Sequence, residues 1–424
     1  MSEEKPRKGA WMMVALLFLF MMINFADKAI IGLAGVPIMN ELKLSPKQFG
    51  AVASSFFFLF SVSAVVTGFL VDRIQSKLAL LVMGLIWALV QFPMAGTIGI
   101  ETLIACRIVL GAGEGPAYPV ALHAVYKFFP NSRRPVPSSI IAQGSALGVI
   151  IAVPLLNWII THYSWHHAFG ALGVVGMIWT VAWLLLGREG DIVDQPTLPG
   201  AEERVPYRHL LFNPTNLASW CTYFAAYFGL ALIISWFAPF LIKAMGYSQD
   251  TAGKLTALLF AAACVIVFAG SLLSERLMKR GHTSRIARGL LAGLSVCIGG
   301  CSLLLAPHIS QPELRLAVLI FGLCVPGMIY TLLPSILAEV TPAAQRGAVL
   351  AINSAVGTSA GIVAPYLMGS LIEGATSAAA GYQLGFSICG IVMLIGGLIG
   401  VAFLRPEAQR TRLAALRPPQ PQRA

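Results

Sequence analysis

Charged side chains are scarce in this chain of 424 residues: Asp, Glu, Lys and Arg together make up 11% of it, whereas a soluble domain carries about 25%. A chain of this length would ordinarily fold as two or three soluble domains, and so few charges could not cover their surfaces. Hydrophobic residues make up 57%, and the mean hydropathy is +0.78. The composition therefore excludes a soluble enzyme.

Several chemical signatures are also missing from the sequence. There is no G-x-x-x-x-G-K-[ST] phosphate loop, which argues against ATP-driven transport by this chain. No nucleophile–base constellation and no cluster of metal ligands stands out, so we expect neither catalysis nor a metal or other cofactor. All seven cysteines fall within apolar runs, which gives no indication of a disulfide framework.

Long apolar runs are what the sequence does contain. About 20 apolar residues suffice to cross roughly 30 Å of hydrocarbon as a helix, and twelve runs are close to that length or longer. We therefore predict an all-α membrane protein with twelve transmembrane helices. The runs lie near residues 11–36, 46–71, 78–98, 102–127, 137–161, 166–187, 214–242, 252–274, 286–306, 315–338, 347–372 and 379–404.

Positive charges are distributed unevenly between the two sides of the membrane. An even number of spans places both termini on one side, and with that side in the cytoplasm, 22 of the 29 Lys and Arg residues fall in cytoplasmic segments and 5 on the opposite side. Such a bias is the signal that orients membrane proteins. Topology therefore accounts for the net charge of +11, and we expect a lipid bilayer, not a nucleic acid, around the chain. Its compact loops indicate a bacterial inner membrane, and we expect a monomer.

One long polar interval, rich in acidic residues and proline, separates six spans from six. A polar segment of this kind is typical of a linker between two helical bundles. The predicted parts are an N-terminal six-helix bundle over 1–187, a cytoplasmic linker over 188–213, a C-terminal six-helix bundle over 214–404 and a cytoplasmic tail over 405–424.

Two short motifs recur in equivalent loops of the two halves. One follows the second and the eighth span, and the other follows the fourth and the tenth. The matching residues are Asp72, Arg73 and Lys77 with Glu275, Arg276 and Arg280, at an offset of 203, and Pro130 and Arg134 with Pro342 and Arg346, at an offset of 212. The recurrence indicates duplicated pseudo-symmetric halves, a common construction of transporters.

The segment Gly68-Phe-Leu-Val-Asp72-Arg73-Ile-Gln75-Ser-Lys77 resembles the signature of the major facilitator superfamily between its second and third helices, G-x-L-x-D-R-x-G-x-R/K. Gln75 stands where glycine is usual, and Lys77 replaces the commoner arginine. The resemblance implies a cytoplasmic gate in which Asp72 caps a neighbouring helix or pairs with a cation. The predicted gating residues are Gly68, Asp72, Arg73, Lys77, Arg134, Glu275 and Arg276.

Two further segments resemble the anion:cation symporter family, which includes bacterial carriers of sugar acids and other carboxylates. They are Asn24-Phe-Ala-Asp27-Lys28 in the first span and Arg107-Ile-Val-Leu-Gly-Ala-Gly-Glu114-Gly-Pro-Ala-Tyr-Pro in the fourth. The family has an Asp-Arg pair in helix one and an Arg followed seven residues later by Glu in helix four. Lys28 departs from that pattern because it replaces the arginine of the pair. Its ammonium is a point charge, whereas a guanidinium presents planar donors. The resemblance implies transport of a small organic anion together with protons.

Four ionisable residues lie deep within predicted spans: Asp27, Lys28, Arg107 and Glu114. Insertion of each costs about 2.5–3.5 kcal/mol, so a functional role is the default interpretation. Arg107 cannot release its proton and suits an anion site, whereas a carboxyl in an apolar helix suits the uptake and release of a proton. We predict proton coupling by Asp27 and Glu114 and substrate binding by Lys28 and Arg107; mutual pairing that only stabilises helix packing is the alternative.

Uncharged residues on other spans are weaker candidates for contact with the substrate. For these, packing between helices is an equally good interpretation. The predicted set is Tyr118, Ser145, Tyr223, Trp236, Tyr330 and Asn353, the last where the resembled family often has a substrate-contacting Asn.

The sequence leads to one functional hypothesis. Protonation of Glu114 and Asp27 frees the charges of Arg107 and Lys28 to bind a carboxylate, and binding permits the inward transition of an alternating-access cycle. The expected substrate is a sugar acid or another hydroxylated carboxylate. The open alternatives are an aromatic acid, a proton-driven exporter of drugs or metabolites, and a membrane receptor without transport activity.

Overall fold

The computed structural model describes residues 7–70, 74–130, 133–192 and 205–415, and every regular element in these ranges is a helix. The α-helices are α1 Ala10–Leu33, α2 Gly35–Glu41, α3 Pro46–Leu70, α4 Ser76–Met94, α5 Ile100–Glu114, α6 Ala117–Tyr126, α7 Pro135–His162, α8 Trp165–Leu186, α9 Tyr207–Leu211, α10 Pro214–Lys243, α11 Gln249–Lys279, α12 Leu291–Leu305, α13 Pro312–Cys324, α14 Ile329–Val340, α15 Ala343–Thr358, α16 Ala360–Gly374, α17 Ala378–Phe403 and α18 Pro406–Ala415. A π-helix, Arg285–Leu290, leads into α12, and short 3₁₀ turns follow α12 and α13.

Eleven helical segments of the described chain are long and apolar enough to cross a membrane, and the twelfth crossing is interrupted. The predicted span over 102–127 consists of two helices, because the first ends at Glu114 and the next begins at Ala117. Pro116 has no N–H to donate to the preceding turn and its ring crowds that turn. With α5 and α6 taken as this twelfth crossing, the chain is an all-α membrane protein with twelve transmembrane helices.

The helices form two compact units by the density of their contacts. The first contains Met1–Asp194, Leu230–Ala262 and Ser359–Gly385, and the second contains the rest of the chain. This grouping follows contacts and does not test the predicted division at 188–213, which stays a prediction.

Glycines let helices of the first unit approach closely at the ends remote from the start of α1. A Cβ placed on Gly50 of α3 would lie 2.5 Å from the carbonyl oxygen of Pro365 in α16. Gly369 likewise faces the carbonyl of Pro46, and Gly32 of α1 faces that of Ile234 in α10. Since a side chain at any of these positions would collide with backbone, glycine is required for these helix contacts.

A carboxylate that follows α8 caps the start of α4, and its counterpart after α17 caps the π-helix before α12. Glu189 accepts the N–H groups of Ser76 at 3.2 Å and Lys77 at 2.8 Å, while Glu407 accepts that of Arg285 at 3.0 Å. Negative charge at a helix N-terminus is favourable. The two caps therefore add a structural repeat to the repeated loop motifs of the sequence.

Candidate functional site

The first compact unit brings together all four ionisable residues predicted within the spans. Asp27 and Lys28 lie on α1, and Arg107 and Glu114 lie on α5. Each is buried, with 1% exposure for Asp27, Arg107 and Glu114 and 6% for Lys28. Charged side chains that are buried to this extent must either be paired with a hydrogen-bond or ionic partner or become neutral. Their individual contacts therefore determine what the cluster can do.

Lys28 has both an ionic and a hydrogen-bond partner. Its Nζ lies 2.7 Å from Oε2 of Glu114 and donates to Oδ1 of Asn24 at 2.5 Å. The same ammonium lies 4.7 Å from the centre of the Phe25 ring and 5.4 Å from that of Phe60, distances typical of cation–π contacts. Lys28 and Glu114 thus form a closed ion pair in this conformation.

Asp27 has an amide and not a cation as its partner. Its Oδ1 accepts a hydrogen bond from Nε2 of Gln91 on α4 at 2.8 Å. Among the described residues, no Lys or Arg nitrogen lies within 4.0 Å of Asp27, and its Oδ2 has no hydrogen-bond partner. The two acidic residues of the cluster therefore stand in different surroundings.

Arg107 is a buried cation with no carboxylate oxygen of the described residues within 4.0 Å. Its guanidinium lies over the ring of Phe56, 4.7 Å from the ring centre. Neither Nε nor Nη1 has a hydrogen-bond partner within the described part of the chain. Of the four charges, Arg107 is consequently the one with donors available for a carboxylate.

Close approach of α3 and α5 places Phe56 beneath Arg107. Gly111 lies one turn beyond Arg107, and a Cβ added to it would collide with the carbonyl oxygen of Phe56. Phe58, two residues further along α3, is half exposed, whereas Phe56 is buried against the guanidinium.

Sequence reasoning missed the roles of two amides, each of which contacts one residue of the charged cluster. Asn24 accepts a hydrogen bond from Lys28, and Gln91 donates one to Asp27. A signal for Gln91 existed, because it is the one carboxyl, amide or basic side chain in the apolar run of α4 after Lys77. Its partner could not be predicted, because it lies 64 positions away.

The second compact unit contains three predicted aromatic and polar contacts. Tyr223 and Tyr330 lie edge to face with ring centres 5.5 Å apart, and Tyr227 stacks beside Tyr223 at 6.2 Å. The hydroxyl of Tyr330 is buried and has no partner within the described chain. Asn353 accepts a hydrogen bond from the hydroxyl of Ser219 at 2.8 Å.

The remaining predicted contacts are dispersed over other helices. Trp236 is fully buried in the first unit, where its indole N–H donates to the carbonyl of Pro365 at 2.9 Å. Ser145 is half-buried on α7, and Tyr118 is exposed on α6. Because the helix is interrupted at residues 115–116, the helical spacing from Arg107 to Glu114 does not extend to Tyr118. The substrate-binding role of all three stays a prediction.

Part of the predicted cytoplasmic gate lies outside the described residues. Asp72 and Arg73 belong to that part, and Gly68 lies in the last turn of α3. Lys77 is at the start of α4, where its N–H is bound by Glu189 and its carbonyl accepts the indole N–H of Trp183 at 2.9 Å.

Three further gating candidates are described. Arg134 donates to the carbonyls of Phe129 and Tyr126, both at 3.1 Å, next to the C-terminus of α6. Glu275 forms an exposed ion pair with Lys279 at 2.5 Å on α11, which also carries Arg276. These contacts are local, so the gating role of the three residues stays a prediction.

Charged side chains buried among membrane-crossing helices are typical of proteins that move ions or solutes. The fold and this cluster together define a multi-pass membrane transporter. The particular family is the Major Facilitator Superfamily, to which the chain belongs, since the family model matches residues 16–365. It is a transporter family, and the protein is not an enzyme.

Individual relatives match over nearly the whole chain. The hexuronate transporter of Bacillus subtilis is 25% identical over 406 residues, covering 92% of this chain and 94% of the relative. The D-galactonate transporter of Escherichia coli O6:H1 is 24% identical over 399 residues, covering 88% and 91%. A crystal structure of a bacterial homolog of the human lysosomal transporter Spinster, in an inward-facing and occupied conformation, has a TM-score of 0.77 at 18% identity, covering 97% of this chain and 99% of that one. That likeness supports the fold.

Proposed function

We propose that the protein is a secondary transporter that takes up a small organic anion together with protons by alternating access. The substrate class is a sugar acid or another hydroxylated carboxylate, in line with relatives named for hexuronate and D-galactonate. Both termini lie in the cytoplasm of a bacterial cell, and the protein works as a monomer in the inner membrane, with the proton gradient in place of any cofactor.

The observation that carries this proposal is the buried guanidinium of Arg107, whose Nε and Nη1 have no partner in the described structure. A desolvated cation is costly unless an anion approaches it. Arg107 presents planar donors that match a carboxylate. Arg107 is therefore the substrate-anchoring residue, and Lys28, occupied by Glu114, is secondary.

Charge balance links the anion to the proton. With all four groups ionised the cluster holds two negative and two positive charges. Protonation of Asp27 leaves the Lys28–Glu114 pair and one net positive charge, that of Arg107. One proton thus prepares the site for one carboxylate. Asp27, which has no cation within ion-pair distance among the described residues, is the first proton carrier, with Glu114 second.

An aromatic acid is the second candidate substrate. The cluster of Tyr223, Tyr227 and Tyr330, with the unpartnered hydroxyl of Tyr330, favours it, because such rings stack on an aromatic ligand. Both candidate substrates are carboxylates, so the class of acid that the protein accumulates decides between them.

Uptake by purified protein in liposomes tests the proposal. Sugar acids and aromatic acids would be compared with and without an inward proton gradient, in the wild type, in Arg107→Gln and in Thr180→Val. Thr180 is a matched control, since it is buried on α8 and bonds only within its own helix in the described structure.

We expect gradient-driven accumulation of one acid class in the wild type and the control, and loss of its binding and uptake in Arg107→Gln. Uptake that survives in Arg107→Gln would remove Arg107 as the anchor. Absence of any anion flux, with export of lipophilic cations instead, would refute the substrate class.

A further inference from the structure

Two buried oxygens on neighbouring side chains lack a hydrogen-bond partner among the described residues. They are Oδ2 of Asp27 and Oε1 of Gln91, and both residues are 1% exposed. The same two side chains already share one hydrogen bond, from Nε2 of Gln91 to Oδ1 of Asp27 at 2.8 Å. The two unpartnered atoms are thus the second oxygen of the carboxyl and the oxygen of the amide that contacts it.

An ionised carboxylate cannot satisfy both atoms, because Oδ2 and Oε1 are then acceptors only. A single proton on Oδ2 converts that oxygen into a donor. Oδ2–H can then donate to Oε1 of Gln91, while Nε2 of Gln91 continues to donate to Oδ1. The result is a ring with two hydrogen bonds between an acid and an amide, in which no polar atom of the contact is left unpaired.

We propose that Asp27 and Gln91 form the proton-holding pair of this protein, with Gln91 as the positioning residue that closes an acid–amide ring around the bound proton. The inference rests on the proposed function in one respect: the proton held by Asp27 is taken to be the proton that is coupled to transport. Its geometry rests on the contact of α1 with α4 alone. The step is a proton transfer, in which a proton from water bonds to Oδ2, the carboxylate loses its negative charge, and the same proton returns to water when Asp27 ionises.

The charged groups that act on Asp27 come from two helices, with Lys28 on α1 and Arg107 and Glu114 on α5. Lys28 is bound to Glu114, and Arg107 lies over Phe56. The histidines on the other helices that pack against α1 are His123 of α6, His162 of α7 and His166 and His167 of α8. Glu114 has the ammonium of Lys28 as its partner, which favours its charged form, whereas Asp27 has a partner able to bind its neutral form.

Infrared difference spectroscopy of the full-length protein in lipid bilayers measures the pair directly, without substrate. A protonated carboxyl has a C=O stretching band that a carboxylate lacks, and each hydrogen bond to the group lowers its frequency. We expect the wild type to show such a band for a strongly hydrogen-bonded acid, which disappears in alkaline buffer and is missing in Asp27→Asn but present in Glu114→Gln.

Variants of Gln91 test the ring. Gln91→Met keeps the volume and removes both hydrogen bonds, and Gln91→Asn keeps the amide on a side chain one methylene shorter, so that a folded polar variant is available if the first misfolds. In both we expect the Asp27 band to move to higher frequency, whereas Thr180→Val, a buried polar control that faces α4, leaves it in place. Purified Gln91→Met should also show an altered pH profile of uptake, which a purely structural role would not produce.

The pair is refuted if no carboxyl band is lost in Asp27→Asn, or if the band has the same frequency in the wild type and both Gln91 variants. Failure of the proposed function is a separate result. A protein that carries no anion but shows the band and its Gln91-dependent shift would retain the acid–amide pair and lose its assignment to symport.

Discussion

The ammonium of Lys28 touches two acceptors at once, Asn24 and Glu114. Its partner carboxylate cannot be replaced by a neutral group without leaving a buried cation unpaired, which costs about 3–5 kcal/mol. Asp27, by contrast, can be neutral at no such cost, since its contact is an amide. The two acidic residues of the cluster are therefore expected to respond differently to the same change from carboxyl to amide.

Asp27→Asn imitates the protonated acid. We expect it to retain counterflow exchange of substrate and to lose pH-driven accumulation, so that the internal concentration only equals the external one. Exchange and accumulation assays on the same liposomes measure both. Accumulation as strong as that of the wild type would remove Asp27 from coupling.

Glu114→Gln leaves Lys28 without its anion. We expect a lower melting temperature in detergent, with a loss of about 3–5 kcal/mol of stability, and a smaller loss in the double variant Glu114→Gln/Lys28→Met. Equal melting temperatures of the wild type and Glu114→Gln would contradict the closed ion pair.

At the residue scale the sequence was informative about chemistry and silent about pairing. Ionisable residues are costly and rare at membrane depth, which identified four candidates in the sequence: Asp27, Lys28, Arg107 and Glu114. The structure brings these four together in one unit. Which carboxylate meets which cation depends on the rotation and spacing of α1 and α5, and no spacing along the chain contains that information.

Helix contacts are the next scale, and α3 and α5 approach through Gly111. A Cβ there would collide with backbone of Phe56, which cannot withdraw as a flexible side chain could. We expect Gly111→Ala to cost about 1–3 kcal/mol, as overpacking does, and to weaken substrate binding because Phe56 supports Arg107. Thermal unfolding of Gly111→Ala beside Gly99→Ala checks this, because Gly99 is the residue immediately before the same helix and has nothing within 4 Å of a Cβ. Equal destabilisation by the two would contradict the contact.

The carboxylate cap on α4 predicts a pH dependence. Burial alone would raise the pKa of Glu189, but the ammonium of Lys127 and the N–H groups of Lys77 and Ser76 outweigh it and lower the pKa below its ordinary value of 4.5. A lowered pKa means that the stabilisation is fully present above 4.5 and is lost as the pH falls through the folded-state value.

Glu189→Gln should therefore lower the melting temperature at neutral pH, and the difference from the wild type should shrink as the pH falls below 4.5. Asp191→Asn is the matched control, since Asp191 pairs with Arg7 at an exposed position. A difference that is independent of pH would contradict the ionised cap.

Element boundaries were largely predictable, because apolar runs and helix-starting prolines mark them. The sequence also contains the signal for the interruption of the fourth crossing, which is Gly115-Pro116. Hydropathy alone does not reveal it, because the apolar run continues across these two residues. Apolar character measures the ability to sit in lipid, whereas a proline acts on backbone hydrogen bonds.

On the scale of the whole molecule, the first unit is closed at the end remote from the start of α1, where α16 packs against α3 through Gly50 and Gly369. Ser54 of α3 accepts the N–H of Tyr366 at 3.1 Å and is 3% exposed. The sequence could not predict this contact, because its partners lie far apart in the chain, 312 positions in the case of Ser54 and Tyr366.

A wedge at this contact should open it. Gly369→Trp is expected to expose a cysteine placed at Ser54→Cys to a membrane-impermeant maleimide several-fold more than the parent, and to abolish uptake. Gly374→Trp is the control on the same helix, since nothing lies within 4 Å of a Cβ there. Unchanged labelling in Gly369→Trp would contradict a contact that separates during transport.

The equal numbers of buried acids and bases have a consequence for energetics. If the cluster is neutral when empty and binds one proton with each monoanion, it is also neutral when loaded. Neither the loaded nor the empty transition then moves net charge across the bilayer, so the membrane voltage does no work on the cycle. We expect uptake of a monoanion to continue when potassium and valinomycin clamp the voltage at zero, and to stop when the pH difference is abolished. A doubly charged substrate accompanied by one proton would instead be driven outward by a negative interior, at about 2.3 kcal/mol per charge for each 100 mV. With the proposed stoichiometry of one proton per monoanion, uptake would therefore stop in alkaline surroundings even while the electrical gradient remained intact.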